Sequence, residues 1–122
     1  MKCRIIWKFI PIPIFITNWM PERFAGYHVF DIVLIRPEYA DDEGLIQHEL
    51  THVKQLWDKN HKLNRECEAY ATQLLYVHDK DYKVIKTRFV NFMYSKYNLG
   101  MSKNFIRRRF DQYIIHEVGR KV

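Results

Sequence analysis

"GLIQHELTHVKQ", residues 44–55, decides how the rest of the chain is read. It sets His48 and His52 four positions apart, with Glu49 directly after the first. On a helix, positions four apart lie one above the other on the same face, so both imidazoles can address one ion. The surrounding pattern is helical. Leu45, Ile46, Leu50, Val53, Leu56 and Trp57 fall on one side at about 100° per residue, which predicts a helix from about Leu45 to Asp58. Asp41 or Asp42 can cap it, and Glu43 adds negative charge to the first turn.

Upstream, the segment from Ile5 to Ile16 is rich in Ile and Phe. Pro11 and Pro13 exclude a helix interior and suit an extended edge strand. "NWMPERFAGY" (18–27) reads as a connection. "HVFDIVLIR" (28–36) then reads as a second strand, with Val29, Ile32 and Leu34 apolar and Asp31 breaking the run. "PEYADDEG" (37–44) turns the chain into the helix. Downstream, "KNHKLN" (59–64) is a short polar turn between helices. An element from about Arg65 to Val77 carries Cys67, Tyr70, Ala71, Leu74 and Leu75 on one face, which makes an antiparallel helix hairpin. "KVIKTRFVNFMYSKYNLG" (83–100) predicts an amphipathic helix ending at Gly100. "SKNFIRRRFDQYIIHEV" (102–118) predicts a last helix capped by Ser102. The expectation is one α+β domain over residues 1–122: a short N-terminal β-sheet, the histidine-bearing helix, a glutamate-bearing helix and C-terminal helices.

The chain has 122 residues, 48% hydrophobic and 16% aromatic, a globular rather than disordered composition. Its net charge of +6 and pI near 9.4 favour acidic partners without specifying nucleic acid. With only Cys3 and Cys67, a disulfide scaffold is excluded, and a reducing, cytoplasmic-type compartment is expected. The N-terminal apolar run begins like a signal peptide. Lys8 interrupts it, Pro11 and Pro13 stiffen it, and no small-residue cleavage site follows. It is also too short and broken to span a bilayer.

The spacing HExxH has a definite chemical content: two nitrogen ligands for zinc, and a carboxylate beside them to take a proton from the bound water. A catalytic zinc needs a third protein ligand and an open position. "NRECEAYATQLL" (64–75) offers Glu66 and Glu68. From His52 the first helix runs on for roughly 9 Å at 1.5 Å per residue, and a few residues of the return helix come back level with it. Both glutamates lie near that height, and Ala69 and Ala71 would allow the helices a close approach. Cys67 sits beside them, but its neighbours put it on the buried apolar side.

In these two motifs the chain resembles the gluzincin clan of zinc metallopeptidases, and within it the small minigluzincin-like domains. "HELTH" matches the first motif in full. "ECEAY" matches the clan's ExxAD from Glu66 through Ala69, with Tyr70 where Asp is usual. The resemblance covers about residues 28–77. It implies a zincin-like fold, a Zn2+ cofactor, and hydrolysis of peptide bonds in a peptide or protein substrate. His48, His52 and Glu66 would then be ligands, with Glu49 as general base acting on zinc-bound water. Glu68, followed four residues on by Thr72, is the competing third ligand. Tyr70 becomes the candidate for the imidazole-orienting role that Asp plays in the clan. "HVFDIVLIR" stands where such proteins have a substrate-aligning edge strand, and it is equally readable as core. Tyr70, Tyr76, His78 and His61 are candidates to stabilise an oxyanion, each also readable as structural. His78 in particular continues the inner face of its helix, which predicts a buried, hydrogen-bonded ring.

A second reading keeps the metal without activity. There the basic C-terminal helices, with Lys103 and "IRRRF" (106–110) among Phe105, Phe110 and Tyr113, would dock on nucleic acid or a protein partner. The simpler reading of those arginines is the solvated side of an amphipathic helix. Trp7, Trp19 and Trp57 are expected in the core.

Overall fold

A computed structural model of the chain describes residues 2–6, 10–22, 24–56, 61–96 and 100–121. Its contacts gather into two compact units, Met1–Lys59 and Asn60–Val122, the first carrying the sheet and one helix and the second the remaining helices. The architecture is α+β.

In the first unit, strands β1 (Lys2–Ile6), β2 (Ile10–Ile16), β3 (Gly26–Val29) and β4 (Ile32–Ile35) form one sheet in the order β1-β2-β4-β3. β1 and β2 are antiparallel, β2 and β4 parallel, and β3 and β4 antiparallel. The single edge strand expected over Ile5–Ile16 is therefore corrected to two paired strands. Pro11 and Pro13 lie two apart, so their missing N–H groups fall on the same edge of β2, and β4 pairs only with Ile14, Phe15 and Ile16 beyond them. The single strand expected over 28–36 is corrected to a hairpin. Asp31 marks its turn, and Phe30 takes a φ of 53° there. β3, not β4, is consequently an edge of the sheet, with β1 at the other.

Helix α1 (Glu43–Lys54) packs on one face of β3 and β4. Its stripe of Ile46, Leu50 and Val53 closes on Ile12, Ile14, Val33 and Ile35, all buried, with Leu45 and Ile16 at the margin. The cap is Asp42, whose carboxylate accepts from the Leu45 backbone N–H at 3.0 Å. The helix ends at Lys54, short of the predicted Asp58, and Leu56 is exposed. The predicted core residues Trp7 and Trp57 lie outside the described residues. Trp19 is corrected from core to surface, with 81% of it exposed. It lines an open concavity of about 390 Å³ on the sheet face away from α1, with Tyr27, Val29 and Leu34. Arg36 pins that loop by donating to the carbonyls of Phe24 (2.6 Å) and Pro21 (2.9 Å).

The second unit holds α2 (Lys62–Leu74), α3 (Tyr82–Lys96) and α4 (Lys103–Lys121). Cys67, Tyr70, Ala71 and Leu74 of α2 pack with Phe89, Val90 and Met93 of α3 and Ile106 and Phe110 of α4. α2 starts three residues earlier than predicted because His61 caps it, its Nδ1 accepting from the Leu63 N–H at 3.1 Å. It also stops earlier, at Leu74. His78 therefore lies beyond the helix and is exposed, which overturns its expected burial. Ser102 caps α4 as predicted, accepting from the Phe105 N–H at 3.1 Å. α3 is described to Lys96, and residues 97–99, through which the helix is predicted to run to Gly100, lie outside the described residues. Gly100 itself has a φ of 70°, in the left-handed region that glycine favours. Among the described residues, no helix is long and apolar enough to cross a membrane.

Two outcomes test this frame. Phe30 is a bulky, exposed residue in a left-handed conformation that asparagine adopts more readily. Phe30→Asn should raise the urea midpoint by the equivalent of about 0.5–1 kcal/mol. Burial pushes the Cys67 thiol up to about 12, with Arg109 opposing and Glu66 adding to the shift. The raised value means that stability is retained at neutral pH and lost as pH rises from about 9 towards 12, where the unfolded chain ionises first. With Cys3 replaced by serine, iodoacetamide at pH 8 should label the folded chain roughly a thousandfold more slowly than the unfolded one.

Candidate functional site

Four side chains of the first unit converge where α1 crosses β3. His48, Glu49 and His52 come from the helix, and His28 from the strand. The helical offset of four brings the two histidine rings edge to face, with centroids 4.9 Å apart and planes at 74°. Their Nε2 atoms face each other at 3.2 Å. The second ring is fixed from behind. Gln55, buried at the C-terminal cap of α1, accepts from His52 Nδ1–H at 3.0 Å. An amide oxygen only accepts, so this bond places the ring proton on Nδ1 and leaves Nε2 as a lone-pair donor. Gln55 thus fixes the orientation of the His52 ring. The Tyr70 ring packs on Phe89 in the core of the second unit, centroids 4.7 Å apart.

Glu49 is buried beside the histidines, and its Oε1 accepts from His28 Nδ1–H at 3.2 Å. Burial by itself raises the carboxyl's pKa. The hydrogen bond from His28 and the fields of His48, His52 and His28 outweigh it and hold the group below its ordinary value. Glu49 is thereby kept as a carboxylate, the form able to accept a proton. His28 also lies face to face with His52, centroids 5.0 Å apart and planes within 23°. Space for this arrangement comes from Gly26. A Cβ there would stand 3.2 Å from Glu49 Cγ, 3.1 Å from Ile35 Cδ1 and 3.3 Å from Leu45 Cδ1.

Neither His28 nor Gln55 was singled out in the sequence. His28 lies 21 positions before Glu49, and only the strand–helix packing brings them together. Gln55 had a signal, since three positions after His52 on the same helix is within reach of that ring.

In the second unit, Glu66 is buried on α2, only 4% exposed, whereas Glu68 is half-buried. Thr72, four residues after Glu68, donates its hydroxyl to the Glu68 main-chain carbonyl at 3.0 Å. Of the oxyanion candidates, His61 caps α2 through its Nδ1, and Tyr76 and His78 are exposed. In the basic cluster, Arg107 and Arg108 face solvent, and Arg109 turns inward to donate to Asn64 at 3.0 Å. No protein-family model, curated protein or solved structure matches the chain.

The close fit at Gly26 gives a direct test. Gly26→Ala should destabilise the fold by about 1–2 kcal/mol, read from the urea midpoint, because three neighbours must give way together.

Proposed function

We propose that this chain is a zinc-dependent hydrolase of peptide bonds, built on a zincin-like α+β frame, in which His48, His52 and Glu66 hold the metal and Glu49 is the general base. One observation carries the reading: the 3.2 Å between the facing Nε2 atoms of His48 and His52. Two imidazoles bound to one tetrahedral zinc at about 2.0–2.1 Å each stand roughly 3.3 Å apart, so the pair is already spaced for the ion. The inclusion of Glu66 rather than Glu68 is supported by the motif register, in which "ECEAY" follows ExxA from Glu66 through Ala69, and by the burial of Glu66 on α2, where Glu68 is half-buried. Two neutral nitrogens and one carboxylate are the donor set of a catalytic zinc with one position open. Zinc there would lower the pKa of water towards neutrality and polarise a substrate carbonyl.

The protein's own groups do the remaining work. Glu49, held ionised, takes the proton from the attacking water and can return it to the leaving amine. Gln55 keeps the His52 lone pair aimed at the ion's position. β3 ends the sheet beside this site; among the described residues no strand pairs with its outer side, where an extended peptide can add by main-chain hydrogen bonds.

Titration of the purified chain with zinc at neutral pH should give one tightly bound ion. His48→Ala and His52→Ala should each weaken it at least about 100-fold. Glu49→Gln should keep the ion and abolish cleavage of a quenched fluorescent peptide library. A wild-type chain that binds no zinc stoichiometrically refutes the proposal.

A further inference from the structure

We infer that His28 is a positioning residue for Glu49, and that edge strand β3 fixes the proposed base through one hydrogen bond and one close backbone approach. The inference rests on the hydrolytic reading above and adds to it a residue from outside both motifs. A glutamate side chain turns about three bonds, and burial alone does not choose among its rotamers. Two alternate residues of β3 supply the choice. Gly26 and His28 project to the α1 side of the sheet, where Gly26 leaves room for Cγ and His28 holds Oε1. Among the described residues, that is the one side-chain hydrogen bond Glu49 makes.

His28 is poorly explained as packing. Its side chain is 33% exposed, and it lies outside the apolar cluster that Val33 and Ile35 of the neighbouring strand enter. Its ring is used on two sides instead, with Nδ1 on the base and one face on His52. One strand residue thereby ties the base to a histidine of the pair, so the spacing of the two need not depend on α1 alone.

The test uses the full chain in three forms: wild type, His28→Ala and His28→Asn, the last because its amide nitrogen stands near the place of Nδ1. The direct readout is the order of the Glu49 CγH₂ group by ¹³C relaxation, which needs neither metal nor substrate. Glu49 should be held in one rotamer in the wild type, averaged in His28→Ala, and held again in His28→Asn. With zinc bound and the quenched peptide library as substrate, kcat should fall about 10- to 100-fold in His28→Ala and recover in part in His28→Asn. KM and zinc affinity should stay unchanged. Equal order of Glu49 in wild type and His28→Ala overturns the inference even where zinc binds and peptide is cut. Failure of the wild type to bind zinc refutes the hydrolytic reading instead, and the relaxation measurement still decides whether His28 positions Glu49.

Discussion

A carboxylate carried into the seam between a helix and a strand must be held by its neighbours, and Glu49 is such a group. In an apolar seam its charge would be costly and the proton would stay on. Here three imidazoles surround it and one donates to it, so it remains ionised although buried. Most of what is particular in the first unit follows from that requirement. The strand beside it carries a histidine and a glycine where apolar β-formers would otherwise pack. The helix above it carries its histidines off the apolar stripe, with His52 stacked on the strand's His28.

The helix register explains how one short element serves core and site together. At about 100° per residue, Ile46, Leu50 and Val53 point within some 60° of one another, towards the sheet. Glu49 falls at the edge of that arc, and His52 and His48 follow in order farther round. Glu49 thus lies nearest the apolar stripe and reaches His28 of β3, while the two histidines turn together, His52 stacking on the same His28 ring. Substitutions in the apolar stripe would therefore disturb both packing and the proposed metal site, since the same three turns of helix carry both.

Local signals in the sequence were read well. The Asp42 and Ser102 caps, the amphipathic stripe of α1 and the buried Cys67 each depend on neighbours within a few residues. Readings that needed long-range packing fared differently. The hairpin at Phe30–Asp31 was missed because phenylalanine is an unusual occupant of a left-handed turn, and only Asp31 hinted at a break. Hydrophobicity alone predicts Trp19 in the core, yet Arg36 binds the carbonyls of its loop and leaves the indole at the surface. The helical pattern predicts His78 on the inner face of its helix, but α2 ends at Leu74. Within the site, the HExxH spacing exposed three residues of one helix, whereas His28 could emerge only once β3 was laid against α1.

The central claim is that the facing imidazoles of His48 and His52, with one carboxylate, form the inner shell of a zinc ion beside an ionised Glu49. X-ray absorption at the zinc K-edge of the loaded protein tests this most directly, because it reads ligand type and distance without requiring a substrate. The account predicts a four-coordinate shell of nitrogen and oxygen at about 2.0–2.1 Å, with outer-shell scattering from two imidazole rings. A sulfur shell near 2.3 Å, or a shell of oxygens with no imidazole scattering, would contradict it.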